Sequence, residues 1–395
     1  MSTPHWALGY CTNVHAGTDM DSIRTNLETY AVSVRQDLRK ERLAVGLWLP
    51  AKAAEELCEE GAAEAFSLWL QERNLQPYTI NGFPYDNFHQ EIVKHQVYEP
   101  AWWTDERRDY TIRLADILAR LLPDGRGGSI STLPIGWPSP TADATAIARA
   151  GENFRTVASH LRELEDRSGQ RIVVAIEPEP GCILDSAKDV TQFFDSQLSE
   201  AWHRRYLTVC HDVCHSAVMF EDQADALAAY SAAGVTIGKV QVSNAIEVDW
   251  SIMSKGRRAE AFAQLAEFAE DRYLHQTGCR SDDGRFRLIE DLPELIQQES
   301  TDLNDDAWRI HFHVPIFLEK FGNLGTTRDQ IEYCLQCLQR SDAPEFLGDL
   351  EVETYAWTVL PESMRRHGLA KDIASELSWL NQVLTRQGLP SLLGE

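Results

Sequence analysis

Along the chain, short apolar and β-branched runs exchange regularly with longer amphipathic stretches. Unbroken or alternating apolar runs read as strands, and apolar positions recurring every three or four residues read as helices. Strands are expected at Trp6–His15, Leu43–Leu49, Gln76–Asn81, Gly128–Leu133, Ile172–Ile176, Leu207–Cys210, Val235–Val242, Trp308–Val314 and Gly348–Tyr355. Helices are expected at Asp21–Leu38, within Lys52–Gln71 with a break near Gly61, and at Arg107–Leu122, Thr141–Arg167, Ala187–Leu198, Gln223–Ala233, Arg258–Tyr273 and Asp329–Leu338, with terminal helices from Asp372 onward. Two stretches depart from the rhythm: Gly82–Thr104, which shows no convincing helix in its first half, and Lys255–Ala307, which is mixed and ends in a polar tract.

Repeated strand–helix units without a glycine-rich dinucleotide fingerprint favour an α/β (β/α)8 TIM barrel over a doubly wound sheet. Nine strand candidates are one too many, and Trp308–Val314 is assigned to an extension inside the long connection before strand 8. The expected organisation is one barrel domain over residues 1–395, with an aromatic loop after strand 3, an insertion before strand 8 and C-terminal helices. In a barrel the C-terminal ends of all strands meet on one face, so residues remote in sequence can share a site.

Two strand ends carry metal-binding groups. RIVVAIEPEPG at Arg171–Gly181 leaves Glu177 on the rim, because Pro178 and Pro180 turn the chain at once. YLTVCHDVCH at Tyr206–His215 delivers Asp212 to the rim, with His215 three residues on. Carboxylate oxygen and neutral imidazole suit a divalent cation; the alternative is that Asp212 caps the next helix and His215 packs. In EVETY, alternation puts Glu351 and Glu353 on one side of the strand, and a carboxylate inside a barrel needs a metal or a strong donor. Together these give Glu177, Asp212, His215 and Glu353 as ligands of at least one divalent ion, manganese for an oxygen-rich set or zinc where imidazole takes part. Gln241, at the end of strand 7, offers a carbonyl oxygen to a cation, an amide to a substrate hydroxyl, or a structural hydrogen bond. His311 and His313 of RIHFHVP share a face and suit metal or substrate, against packed or capping imidazoles. His313 and Glu179 are the candidates for proton transfer; His313 as ligand of a second metal is the competing assignment, which favours hydrolysis. His15 lies near the rim by its place at the end of strand 1, with ligand contact left open.

The segment Asn81–Trp103 concentrates Phe83, Tyr85, Phe88, Tyr98, Trp102 and Trp103 with His89, Lys94 and His95. Such a loop can close over an apolar or ring-bearing ligand, or bind a rigid insertion to the barrel. Phe83, Tyr85, His89, Lys94, His95, Trp102, Trp137, Gln241, His311 and His15 are therefore the substrate-binding candidates. Cysteine patterns do not read as zinc sites: Cys210 lies within a strand, Cys214 is expected to face away from Asp212, and Cys334 and Cys337 sit at helical spacing in an apolar stretch.

Composition narrows the partners. A formal net charge of −24, from 61 acidic and 37 basic side chains, argues against nucleic acid or an anionic membrane surface. Eight cysteines in 395 residues are too sparse for a disulfide scaffold. No apolar run reaches the roughly 18 residues of a membrane span, and MSTPHWALGY lacks the pattern of a signal peptide, so a cytoplasmic protein without stable membrane insertion is expected.

The order of strand-end Glu, Asp-x-x-His, polar strand-7 end, x-His in the following connection and last-strand Glu resembles the xylose-isomerase-like barrel superfamily, over roughly Leu8 to Trp357. That group holds sugar isomerases, epimerases and apurinic endonucleases of the endonuclease IV type. The resemblance implies a metal site of Glu177, Asp212, His215 and Glu353, with His313 matching a further histidine ligand of multi-metal members. Where such members place histidine or another ligand at the end of strand 7, this chain has Gln241, which argues against a full three-zinc phosphoesterase site. More narrowly, CTNVHAG, NGFPYDNFH, KHQVYEPAW, STLPIGW, IEPEPG and HFHVP make the chain similar to the EboE family of metabolite-traffic proteins from bacterial ebo clusters. That similarity implies processing or export of a prenylated or isoprenoid-linked small metabolite, with other proteins of the cluster as partners. Two classes follow: a metal-dependent isomerase, epimerase or hydrolase, and a metal-containing binding or delivery protein without turnover. DNA phosphodiester cleavage is the poorer third, since an acidic surface repels that substrate.

Overall fold

The computed structural model describes residues 6–139, 141–298, 307–365, 367–389 and 391–392. Eight strands form the barrel: β1 (Trp6–Cys11), β2 (Leu43–Trp48), β3 (Leu75–Asn81), β4 (Gly128–Thr132), β5 (Ile172–Ile176), β6 (Leu207–Asp212), β7 (Ile237–Val242) and, after an insertion, β14 (Phe346–Val352). Each pairs in parallel with its neighbour, and β14 closes the ring on β1, so the (β/α)8 reading holds. The strands are buried on both faces, as parallel strands covered by an outer layer of helices must be. Elements end within a few residues of expectation, with three exceptions, one of them the run expected at Trp308–Val314, whose strand stops at Ile310. β1 stops at Cys11 and gives way to a tight turn at Thr12–Val14. The helix expected over Arg258–Tyr273 runs from Lys255 to Leu265, followed by a single tight turn at Ala266–Phe268, which leaves Tyr273 in a loop.

Between β7 and β14 the mixed stretch folds into a second, antiparallel sheet. Its strands are β8 (Ile246–Asp249), β9 (Thr277–Arg280), β10 (Phe286–Ile289), β11 (Ala307–Ile310), β12 (Lys320–Phe321) and β13 (Leu324–Thr326), in the order β10-β9-β11-β8-β13-β12. The Trp308–Val314 run thus belongs to the insertion, as its assignment outside the barrel requires. Trp250, Trp308, Phe268 and Phe312 form the insertion's core, which also takes in Trp48, Phe88 and Tyr355 from the barrel side. Phe312 is buried in that core, while His311 and His313, just past the end of β11, have ring centroids 5.2 Å apart and both pack against His215 at the barrel mouth.

The loop after β3 is sewn to the insertion. The Val93 and Lys94 amides donate to the Arg272 carbonyl, Tyr273 Oη donates to the Phe88 carbonyl at 3.1 Å, and Lys94 pairs with Asp291 at 2.5 Å. Its other end is anchored in the barrel: Trp102 is fully buried, stacks on Phe154 with ring centroids 3.8 Å apart, and donates to Thr132. Loop and insertion together roof the C-terminal face.

Candidate metal centre

Glu177 leaves β5 where the two prolines turn the chain, and Asp212 ends β6 as the cap of the helix Val213–Val218. Asp212 Oδ1 accepts from the His215 amide at 2.8 Å and from Ser243 Oγ at 2.7 Å. The capping role is therefore real, and it occupies one oxygen only. Asp212 Oδ2 and Glu177 Oε2 are buried with no hydrogen-bond partner among the described residues. Glu353 follows β14, and its Oε1 accepts from Asn13 at 2.7 Å and Asn81 at 2.9 Å. One ligand atom each from Glu177, Asp212 and Glu353 lie within 4.8 Å of one another.

Three imidazoles face these carboxylates. His215 Nδ1 bonds the Pro178 carbonyl at 2.7 Å, His311 Nδ1 bonds Gln276 Oε1 at 2.8 Å, and His313 Nδ1 bonds the Glu353 carbonyl at 2.9 Å. A carbonyl oxygen only accepts, so each Nδ1 carries a proton, which leaves the Nε2 atoms of His311 and His313, whose pKa values are lowered, as lone pairs, while His215 Nε2 stands 3.2 Å from Glu179 Oε2. His215 and His311 bring those Nε2 atoms to 3.2 Å, and His313 Nε2 is buried without a partner. Lone pairs converging at that distance repel unless a proton or a cation lies among them.

The ligand-capable atoms fall into overlapping groups: Glu177–Asp212–Glu353, Asp212–His215–His313, Glu179–His215–His311 and Cys214–His311–His313. The expected four-residue set thus divides between two groups that share Asp212. Cys214 departs from expectation, because the strand ends at Asp212 and the first helical turn swings its thiol toward His311 and His313. Cys210, Cys334 and Cys337 are buried within elements, as read from the pattern.

Electrostatics fit a cation-binding centre described without its cation. Burial, then the Glu353 and Asp212 carboxylates, push Glu177 well above the ordinary carboxylate range. Burial and Asp212 push Glu353 up to about 8, and burial raises Glu179. Burial lowers His313 to about 4 and, with neighbouring imidazoles, drives His311 far down. Burial works against charge on His215 too, but Asp212 and Glu179 outweigh it and raise its pKa. Like charges crowd here at a cost that bound divalent ions remove. Orphaned carboxylate oxygens, an orphaned imidazole nitrogen and carbonyl-fixed tautomers make the donor set fit such ions.

Beneath the centre lies a buried ion pair between Lys239 and Glu351 at 2.7 Å, with both side chains fully enclosed. Gly46 makes the room, since a Cβ there would sit 1.4 Å from Glu351 Oε1.

A cleft opens above the carboxylates. Of the substrate-binding candidates, Phe83, Lys94 and His311 line it, with Glu177, Glu179, His215 and Glu353 at its polar end and Tyr98, Tyr273 and Tyr355 along its walls. Gln241 is buried in the barrel with both side-chain heteroatoms unpartnered. The remaining candidates stand elsewhere. His15 stacks on Tyr30 and meets Tyr10 Oη at 3.0 Å, because the turn after β1 carries it behind the rim. Tyr85 packs on Tyr110, and His89 Nε2 bonds the Asn13 carbonyl at 2.6 Å, supporting the residue that holds Glu353. His95 pairs with Glu290 in a half-exposed position, Trp137 stacks on Tyr98 behind the wall, and Trp102 is core.

Sequence reasoning passed over Asn13, Asn81, Ser243, Gln276, Tyr98 in its polar role, and Lys239. Gln276 donates to Glu179 Oε1 at 3.2 Å while accepting from His311, and Tyr98 Oη donates to the same oxygen at 2.8 Å. The available signal was a polar residue at a strand end for Asn81, and a lone lysine in an apolar strand for Lys239.

Fold and site together define a (β/α)8 barrel with a cluster of candidate metal ligands at its C-terminal mouth. No family model matches the sequence, and no curated protein matches it. Among solved structures, a D-tagatose 3-epimerase-like protein superposes with TM-score 0.51 at 9% identity, covering 97% of this chain and 98% of its own. L-ribulose 3-epimerase gives 0.49 at 10% identity, covering 96% and 94%, and the probable 3-DHS dehydratase AsbF from Bacillus anthracis gives 0.48 at 12%, covering 95% and 98%. At 9% identity the likeness to the D-tagatose 3-epimerase-like protein is one of fold alone, and none of these structures bears on the EboE resemblance. Among the described residues no helix is long and apolar enough to cross a membrane.

Proposed function

We propose that the chain is a divalent-cation-dependent hydrolase of a small polar metabolite that bears an apolar or ring-containing portion. The observation that carries this reading is the sharing of Asp212 between an oxygen group with Glu177 and Glu353 and a nitrogen-containing group with His215 and His313. A carboxylate common to two ligand groups is the arrangement that seats two cations side by side. When bound, such ions supply Lewis acidity toward the scissile bond and acidify a water. Asn13 and Asn81 fix the Glu353 carboxylate, and the carbonyl partners of His215, His311 and His313 fix their tautomers. Glu179, held by Tyr98 and Gln276 and with its pKa raised by burial, is the carboxyl placed to pass a proton to a leaving group. Phe83, Tyr273 and Tyr355 exclude water from the apolar part of the cleft.

One observation favours a second reading, isomerisation or epimerisation. Glu177 and Glu353 are two buried carboxyls with raised pKa values beside one cleft, a pair able to take and return a proton at carbon. The apolar walls also suit the isoprenoid-linked metabolite of the EboE resemblance, with delivery in place of turnover and cluster proteins as partners. Manganese and zinc are the proposed ions. Protein reconstituted with each should be assayed in D2O against phosphate esters, carboxylic esters and ketoses. Hydrolysis without deuterium entering carbon, lost in His313→Ala, is the expected result. Deuterium at a sugar carbon would replace it with the isomerase reading, and retention of a prenylated precursor without turnover would assign delivery.

A further inference from the structure

The wall of the cleft keeps two polar groups that the protein itself leaves unused. Of the three tyrosines lining it, Tyr98 donates to Glu179 Oε1 at 2.8 Å and Tyr273 donates to the Phe88 carbonyl at 3.1 Å. Tyr355 Oη has no hydrogen-bond partner among the described residues, although the residue is only 7% exposed. Its ring is held on several sides, with centroids 5.0 Å from Tyr273, 5.2 Å from Phe88 and 4.7 Å from His313. Asn13 supplies the second group. Its Nδ2 donates to Glu353 Oε1 at 2.7 Å, which fixes the orientation of the amide, because a carboxylate oxygen accepts. Asn13 Oδ1 is then an acceptor, buried and without a hydrogen-bond partner among the described residues. The turns Thr12–Val14 and Tyr355–Val359 pack on each other, so both groups belong to one stretch of the cleft wall.

An enclosed donor and acceptor without partners are costly, and they persist at a site where a ligand satisfies them. An alcohol hydroxyl donates one hydrogen bond and accepts others, so a single hydroxyl answers both Asn13 Oδ1 and Tyr355 Oη. The oxygens of an ionised carboxylate or phosphate only accept, which leaves Asn13 unanswered. Charge argues the same way. Glu177, Glu179 and Glu353 stand at the polar end, and Lys94, the one lysine or arginine among the described lining residues, is held by Asp291 at 2.5 Å. An ammonium group would answer Asn13, but cations bound at the neighbouring carboxylates would repel it. Phe83, Phe88 and Tyr273 continue the wall as apolar surface suited to a ring or an alkyl body.

We propose that Asn13 and Tyr355 form a subsite for the organic ligand of this cleft, an uncharged alcohol whose ring or alkyl body lies against Phe83, Phe88 and Tyr273. Tyr355 donates to the ligand hydroxyl, and Asn13 accepts from it. The proposal rests on the reading of the cleft as the place of chemistry and narrows its substrate to a neutral hydroxylated molecule, which sets phosphate esters and free acids aside. It gives a role to a phenol hydroxyl and an amide oxygen that the metal centre does not use.

The test measures binding and needs no turnover. Four probes share one body and differ in charge: 2-phenylethanol, phenylacetate, 2-phenylethyl phosphate and 2-phenylethylamine. Their dissociation constants are measured by ligand-detected nuclear magnetic resonance on the manganese-treated full-length chain. The alcohol is expected to bind most tightly of the four. Tyr355→Phe keeps the ring and removes the hydroxyl, and it should weaken the alcohol by about fivefold. In the wild type, (2-methoxyethyl)benzene, which cannot donate to Asn13, should bind more weakly than the alcohol by a similar factor. Tighter binding of a charged probe, no binding of the alcohol, or an affinity unchanged in Tyr355→Phe would overturn the proposal and leave a metal centre standing. A chain that takes up no manganese yet binds the alcohol through Tyr355 would remove the hydrolase reading and leave the subsite. Circular dichroism of the variant separates loss of a contact from loss of fold.

Discussion

Glu353 shows how one residue carries both fold and chemistry. Its carboxyl lies in a layer with Asp212 and Glu177, and burial with Asp212 pushes its pKa from 4.5 up to about 8 in the metal-free protein. A raised pKa means that the folded state binds the proton more tightly than the unfolded state. The associated stability is full below about pH 4.5 and is lost as pH rises through about 8. His311 and His313, with lowered pKa values, contribute in the opposite sense and His215, with a raised one, in the same sense, so the term is isolated by comparison with Glu353→Gln. Metal-free wild type should lose stability relative to Glu353→Gln by a few kcal/mol as pH rises across that window, measured by urea unfolding at each pH. Saturating manganese should abolish the trend, because a bound cation favours the ionised form. A pH-independent difference would mean that Glu353 is satisfied by Asn13 and Asn81 alone. Glu177 and Asp212 were legible in the sequence because they follow apolar runs, and Glu353 because alternation sets it with Glu351 on one side of the last strand. Asn13 and Asn81 were not read as its partners, since each meets Glu353 only once the barrel closes, across sequence separations of 340 and 272 residues.

At the scale of the strand, β7 and β14 show what a barrel interior demands of charge. Lys239 and Glu351 are diagonal neighbours on those paired strands, joined at 2.7 Å and enclosed on all sides. Removing one partner leaves the other charge buried and unpaired, at a cost of about 3–5 kcal/mol. Lys239→Met should therefore destabilise the protein by about that amount, and Lys239→Met/Glu351→Leu should recover much of the loss in denaturant unfolding, as apolar replacements of buried pairs do. A double variant no more stable than the single would show that the pair contributes beyond neutralising itself. The loop after β3 teaches a related point. Its aromatic residues are alike in sequence, yet Phe83 lines the cleft while Trp102 stacks on Phe154 in the core. Aromatic content predicted a binding element; which ring faces the ligand depended on where the loop meets the insertion.

For the whole molecule, the relation of insertion to barrel decides whether a site exists. His311 and His313 belong to the insertion, and Glu177, Asp212 and Glu353 to the barrel, so the centre forms only where the two are docked. The insertion's core includes Trp48, Phe88 and Tyr355 from the barrel side, while Trp250 and Trp308 report on the insertion itself. We expect one cooperative unfolding transition, with tryptophan fluorescence and far-ultraviolet circular dichroism coinciding in urea. An early fluorescence transition would identify the insertion as a separately folding unit and remove the single-domain expectation. By itself, the sequence determined the periodicity of the elements, their strand–helix exchange and hence the (β/α)8 barrel, because alternation and helical spacing are local properties of the chain. It also determined that Glu177 and Asp212 stand where strands end, since the apolar runs before them stop there. Only the tertiary structure decided that Asp212 is common to two ligand groups, that His15 is carried behind the rim, and that Lys239 neutralises Glu351. Those outcomes depend on strand register, barrel closure and the seating of the insertion, all of which arise from contacts between residues far apart along the chain.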